Sequence, residues 1–410
     1  MVTTTPAGET LLPVQVALQR LLALLTVTEV EMVPLDQACG RILAADVTST
    51  RHLPGCDNSA MDGFAVRAAD CAGAAASSPA TLPVSGEART GVAAADLAAG
   101  TAMSITTGAP IPRNADAVVR VEDTRPRGDS VEILVAVTAG TAVRGAGVDV
   151  RPGMVMVPAG RRVRPIDVAA CAAVGAHSLA VHRRPRVAIL GGGDELVALD
   201  VDPAPHQVAD SNSPMLVAAV AEAGGEPVAF GVMADDRSAV RHHLQVAAGC
   251  DLVLTSAGVS LGPHDHVRSV AEELGSVDAW QIAMRPGKPL LIGTVLGTPL
   301  LGLPGNPVSS AVTFELFGRP AILSLQSATR IHRQRIAVRL GEAVSTPRML
   351  ETYLRVRLDD ATDGIPVARL SGNQGSAMLR SLSDADALLM VPVGVGEAPE
   401  GSVWTGIALT

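Results

Sequence analysis

Residues 186–196 read RVAILGGGDEL, and the fold turns on them. Positions 187–190 are an apolar run without polar alternation, the pattern of a strand buried on both faces. Three glycines follow, and Asp194 and Glu195 then set two carboxylates just beyond the strand. Toward the C-terminus the rhythm repeats. SNSPMLVAAVAEAGG (211–225) reads as a capped helix closed by glycines, PVAFGVM (227–233) as a strand and DDRSAVRHHLQVAAG (235–249) as a helix. DLVLTS (251–256) is again a strand and HDHVRSVAEEL (264–274) a helix. This alternation predicts a mostly parallel sheet with helices on both faces.

It ends in LLGLPGNPVSSAVTFELF (300–317). Pro304 and Gly305 suit a tight turn, Asn306 an N-cap and Pro307 the first helical position. The amides of Val308, Ser309 and Ser310 are therefore expected to stand free at a helix start that attracts anions.

Outside this segment the pattern changes. PVQVALQRLLALL (13–25) spaces Val14, Ala17, Leu18, Leu21 and Leu25 as an amphipathic helix. From about 28 to 183, short β-like runs are separated by Gly, Pro and Asp. AAASSPA, at 74–80, is expected to be a loop. After about 328 the chain returns to strands. The fold class is thus α/β plus β, in several units.

Composition removes whole classes of function. Hydrophobic residues are 48% of the 410 and charged ones 18%, which supports large cores. Aromatics at 2%, with 41 acidic against 32 basic residues (net −9), argue against a nucleic-acid or anionic-membrane surface. Five scattered cysteines without C-x-x-C spacing read as reduced thiols of a cytoplasmic protein. The N-terminus has no leader pattern, and no apolar run reaches membrane-spanning length.

In an open parallel sheet, ligands bind outside the carboxyl ends of the strands. Successive junctions here supply Gly193, Asp194 and Glu195; Asp235 and Asp236; Ser256, Gly258, Ser260 and Asp265; Arg285 and Lys288 in MRPGKP; and Pro304 through Ser310. Carboxylates suit Mg²⁺, whereas glycine turns, two cations and a helix start suit phosphate or another oxyanion. No single loop is decisive: GKP lacks the rest of a phosphate-binding loop, and GGGDEL is not G-x-G-x-x-G. Their shared order points to a nucleotide or phosphoester site. GCDNSAMDGFAV gathers Asp57, Ser59 and Asp62, and TTGAPIP presents Thr107. Asx turns account for either cluster, or such a loop reaches into another subunit's cleft. His242 and His243 read as a solvated pair, and His264 and His266 only flank Asp265.

These motifs together resemble the molybdopterin molybdenumtransferases, the family of MoeA and the E domain of gephyrin and its plant counterpart. The resemblance rests on DNSAMDGFAV, TTGAPIP, GDEL, SNS (211–213), DD (235–236), the GVSLGPHD run, RPGKP, GLPGNPVS and NQGS (373–376), all in order over nearly the whole chain. It implies an elongated homodimer divided into a dimerisation unit (1–48 with 142–183), a β-rich unit (49–141), a molybdopterin-binding α/β unit (184–328) and a barrel-like unit (329–410). The cleft would lie between the α/β unit of one subunit and the β-rich unit of the other. The implied reaction takes adenylylated molybdopterin and molybdate as substrates, releases AMP with Mg²⁺ and leaves molybdenum on the dithiolene. An adenylyltransferase would act upstream and cofactor-receiving proteins downstream.

By position, the resemblance implies catalytic roles for Asp62, Asp149, Asp194, Glu195, Asp235, Asp265 and Lys288, with Glu195, Asp235 and Asp265 at the metal. It implies substrate contacts from Asp57, Ser59, Thr107, Ser211, Asn212, Ser256, Gly258, Ser260, Arg285, Pro304, Gly305, Asn306, Pro307, Ser309 and Ser376. The chain departs from the family pattern at Gly145, Val148, Gly192, Ala257, Gln281, Arg285 and Asn373. These departures motivate an alternative, a non-catalytic pterin-binding scaffold.

Overall fold

The computed structural model describes residues 3–4, 10–93, 95–256, 259 and 266–409. In the α/β segment, Arg186–Gly192 lies between Glu226–Met233 and Leu252–Ser256, all three parallel. Thr298–Leu303 continues the sheet in parallel, and Pro289–Val295 and Gly275–Gln281 complete its six strands. Pro289–Val295 runs against both neighbours. A reversed strand starts where its neighbours end, so RPGKP arrives at the carboxyl rim.

Period-two alternation then sorts the side chains. Val187, Ile189, Leu252 and Leu254 face one core, with the helices Val14–Ala23, Asn212–Glu222 and Pro307–Thr313. Ala188, Leu190 and Val253 face the other, with Arg237–Ala247 and Val267–Leu274. Each fully buried Val, Leu or Ile contributes about 1.5–3 kcal/mol. Helix Val14–Ala23 therefore packs on the α/β unit, whereas the sequence division groups it with the dimerisation unit. The stripe at Val14, Ala17, Leu18 and Leu21 is the one its spacing predicts, but spacing does not say which core receives it.

Five strands, Arg335–Leu340, Glu351–Asp359, Val367–Leu370, Ala387–Val391 and Val403–Ala408, close into a barrel through the pairing of Glu351–Asp359 with Ala387–Val391. Met284–Arg285 pairs in parallel with the first residues of Glu351–Asp359, tying the rim to the barrel. The 63–135 region forms a separate six-stranded sheet. The 74–80 stretch is not a loop: Ala75–Ala88 is a strand of that sheet, paired with Ser130–Val135. Small residues carry little strand signal alone, and the cross-strand partner supplies it. Val30–Pro34 pairs with Ser178–His182 and Val47–Thr48 with Val155–Val157, joining chain segments far apart in sequence. Arg183 fixes this module to the α/β unit with two bonds of 2.9 Å to Asp251 and one of 2.8 Å to Glu29. Among the described residues no helix is long and apolar enough to cross a membrane.

Candidate active site

The strand order reverses at Arg186–Gly192, because the next strand in sequence lies on one side and the third on the other. Such a switch point opens a crevice at the carboxyl ends. Asp194 and Asp235 meet there: the Asp194 carboxylate accepts the Asp235 N–H at 3.0 Å, and both residues are exposed. The Glu195 carboxylate folds over Gly193, whose φ is +131°. A Cβ on Gly193 would lie 2.5 Å from Glu195 Oε2, so glycine makes this approach possible. Asp236 instead caps the next helix, accepting the amides of Ser238 and Ala239 at 3.0 Å. Of the paired aspartates, Asp236 is taken up by the helix cap, and Asp235 is exposed with its N–H on Asp194.

The crevice floor is polar and under-satisfied. Asp210, 7% exposed, accepts the amides of Asn212 and Ser213, so it caps the helix that follows. Asn212 Nδ2 donates to the Gly305 carbonyl at 2.7 Å, binding that helix to the 304–307 turn. Ser213 Oγ lies above Gly191, and Ser256 is the residue paired with Gly191 on the adjacent strand. Among the described residues, the buried oxygens Asn212 Oδ1, Ser213 Oγ, Ser256 Oγ and Ser310 Oγ have no hydrogen-bond partner. Each such group costs about 1–3 kcal/mol unless a ligand or water pairs with it. Ser211 is exposed at the mouth; Ser309 is buried, and its carbonyl accepts the Thr313 hydroxyl at 2.7 Å.

The helix start at 306–310 differs from its sequence reading. Pro307 takes the first helical position as expected, but the Asn306 side chain makes no cap bond. The Val308 amide donates to the Ser376 carbonyl at 3.1 Å and the Ser310 amide to the Asn306 carbonyl at 2.9 Å. Two of the three amides expected to be free are therefore engaged, one of them by the barrel.

The barrel also brings a cation that the sequence reading missed. Arg355, 1% exposed, donates from Nε to Ser381 Oγ (3.2 Å) and from Nη2 to the carbonyls of Asn373 (3.1 Å) and Gly375 (3.0 Å). Among the described residues no carboxylate pairs with it. It lines a cavity of about 80 Å³ with Arg285, Thr352 and Gln374. Burial, and then the Arg285 charge, push its pKa down to about 10. A buried guanidinium without counter-charge, beside a second cation, is built to receive an anion. Its signal is faint: in TYLRVRL, residues 352–356 are buried on both faces, so period two does not separate Arg355 from its apolar neighbours. Gly287 shapes the same turn, since at φ +103° its Cβ would fall 2.4 Å from Thr313 Cγ2. Lys288 is half-buried there.

A second cluster sits on the 63–135 sheet and its flanking loops. The exposed Asp62 carboxylate accepts the Thr107 amide at 2.6 Å and its hydroxyl at 2.9 Å, bonds that hold its pKa below the ordinary value. Asp57 accepts the Ala146 amide at 2.7 Å. Ser59 is buried with its hydroxyl turned to the Met61 carbonyl, and Asp149 is exposed. Among the described residues, no hydrogen bond or ion pair joins residues 56–141 to the α/β unit or the barrel. Gly258, Ser260 and Asp265 lie outside the described residues.

Comparison with known proteins matches the MoeA N-terminal region (domain I and II) to residues 12–175, a probable molybdopterin binding domain to 188–324 and the MoeA C-terminal region (domain IV) to 337–405. Molybdopterin molybdenumtransferase 2 of Mycobacterium tuberculosis is 39% identical over 386 residues, which are 91% of this chain and 94% of that one. The molybdopterin molybdenumtransferase of Nostoc sp. is 37% identical, over 89% and 86% of the two chains. The MoeA crystal structure from Pyrococcus horikoshii has a TM-score of 0.84 at 28% identity, covering 97% of this chain and 100% of that chain. The chain belongs to the molybdopterin molybdenumtransferase (MoeA) family.

In this MoeA-family chain the departures from pattern fall at different depths. Gly192 closes a buried strand, and Val148 is 67% exposed beside Asp149. Gln281 ends a sheet strand with Oε1 buried and unpartnered among the described residues. Asn373 serves structure: its Oδ1 accepts the Gly375 amide and its carbonyl accepts Arg355. Ala257 lies outside the described residues.

Proposed function

We propose that this MoeA-family chain is a transferase that inserts molybdenum from molybdate into adenylylated molybdopterin, releasing AMP. The observation that carries the reading is Arg355, a buried guanidinium without a carboxylate partner among the described residues, facing Arg285 at the rim. An oxyanion between them restores the missing counter-charge, and the planar forks fix its orientation. The unsatisfied oxygens of Asn212, Ser213, Ser256 and Ser310 offer polar contacts to a pterin or phosphate nearby. Holding both substrates at one rim converts an encounter into a positioned reaction.

Among the described residues no three metal-binding groups converge. Exposed hard oxygens at Glu195 and Asp235 beside Asp194 suit Mg²⁺, which keeps several waters and takes only one or two protein carboxylates. A bound Mg²⁺ would offset charge on the phosphoanhydride. Asp194 holds the Asp235 backbone in place, and Gly193 lets Glu195 lie against the loop.

Among the described residues, no hydrogen bond or ion pair joins Asp62, Thr107 or Asp149 to this rim. The proposal therefore includes a homodimer in which the β-rich unit of one subunit faces the α/β unit of the other. It includes an adenylyltransferase as supplier, cofactor-receiving proteins as acceptors, and a cytoplasmic setting. The test is AMP release from adenylylated molybdopterin with and without molybdate. Molybdate-dependent release that Arg285→Ala abolishes supports the reading. Tight pterin binding without turnover instead supports the scaffold alternative, which the departures from the family pattern at Val148 and Gln281 motivate.

A further inference from the structure

A second basic cavity of the chain is lined by none of the rim residues described above. This cavity of about 760 Å³ opens between the 39–42 and 158–165 segments on one side and the 319–333 segment on the other. Arg161, Arg162, Arg164, Arg319, Arg330 and Arg333 line it, and no carboxylate does among the described residues. Three carboxylates touch these arginines from outside the lining. Asp167 pairs with Arg161 and Arg164, and Glu222 and Glu315 pair with both Arg319 and Arg333. Six guanidinium groups against three carboxylates leave the cavity with excess positive charge.

The two groups of arginines differ in how they are held. Arg319 is 5% exposed and clamped by Glu222 at 2.7 Å and Glu315 at 2.9 Å, so it forms a rigid wall. Arg162 uses Nε and Nη2 on the carbonyls of Gly40 and Glu222 and meets no carboxylate among the described residues. Arg330 is exposed and has no ion pair among the described residues. The positive field reaches past the lining: burial first, then the charges of Arg41 and Arg162, lower the proton affinity of the Arg184 guanidinium.

We propose that this cavity binds a small polyphosphate, either free or as the polyphosphate tail of a nucleotide. Its volume falls in the range of about 300–1,000 Å³ usual for small-molecule sites. Guanidinium forks match phosphate oxygens in pairs. Ile42, Val163 and Leu323 provide an apolar wall beside the charge. A concave site on an acidic chain of net −9 does not suit a nucleic-acid duplex.

The test is calorimetric titration of the full-length chain with sodium tripolyphosphate and, separately, with ATP at constant ionic strength. Saturable binding is expected for both, and Arg162→Ala with Arg330→Ala should weaken each roughly tenfold or more while leaving the melting temperature nearly unchanged. ATP binding roughly tenfold tighter than tripolyphosphate identifies a nucleotide; equal affinities identify the phosphate chain alone. Arg285→Ala, which alters the proposed molybdate site, should leave tripolyphosphate binding intact. The proposal is overturned if no saturable binding occurs up to millimolar probe, as when a second subunit covers the cavity. It is equally overturned if Arg285→Ala abolishes binding while the Arg162 and Arg330 substitutions do not. Neither result bears on AMP release, so the two readings fail separately.

Discussion

At Arg355 and Asp62 two single side chains define the chemistry by what surrounds them. Arg355 donates to two carbonyls and a hydroxyl, so Arg355→Lys keeps a charge but loses the fork. We expect molybdate affinity to fall about tenfold and stability to drop by about 1–3 kcal/mol, read by titration and thermal melting. Added molybdate should raise the melting temperature of the wild type and not of Arg355→Lys. The Asp62 carboxyl is held below its ordinary value of 3.8 by the Thr107 amide and hydroxyl. A depressed carboxyl contributes stability above its unfolded pKa and loses it as pH falls through the folded one. Thr107→Val should therefore move the Asp62 titration upward by NMR and flatten the stability profile just below pH 3.8. The positions of Asp194, Glu195 and Asp235 at strand ends were legible because each follows a recognisable strand. Arg355 was hidden, since a strand buried on both faces erases the alternation that would set it apart.

At the scale of elements, the 304–307 turn is held from two directions. Asn212 ties it to the neighbouring helix, and Ser376 meets the Val308 amide behind it. Asn212→Ala should cost about 0.5–1.5 kcal/mol in denaturant melts and raise the KM for the pterin substrate more than it lowers kcat. Gly287→Ala is expected to be worse, because a Cβ there meets Thr313 inside a packed turn. Loss of anion binding with the barrel still folded, seen by near-UV dichroism, would confirm that the damage is local. The proline and glycine grammar of this turn was readable, including Pro307 at the helix start. The fate of its amides was not, because their partners come from residue 376 and from the turn itself. The strand at 75–88 was missed for a related reason: alanine and serine take their conformation from the strand they pair with.

Across the whole molecule, no hydrogen bond or ion pair among the described residues links the rim to the Asp62–Thr107 cluster within one chain. If the cleft is shared between subunits, co-expressed Asp62→Ala and Arg285→Ala chains should recover activity that neither has alone. Random pairing makes half the dimers mixed with one intact cleft each, so about a quarter of wild-type activity is expected. Inactive mixtures of verified heterodimers would place both clusters in one subunit's site. The α/β and barrel units were legible as blocks of rhythm. The pairing of 30–34 with 178–182, and the docking of helix Val14–Ala23 on the α/β core, depend on contacts that no local period encodes.

The barrel's grip on the rim has a mechanical consequence. Arg355 lies inside the barrel and Arg285 on the short strand Met284–Arg285 that ties the rim to it, so an anion between them acts as mortar along that seam. A loaded seam should breathe less than an empty one. Amide exchange in strands Glu351–Asp359 and Pro289–Val295 should slow when molybdate is added and recover once the cargo is gone.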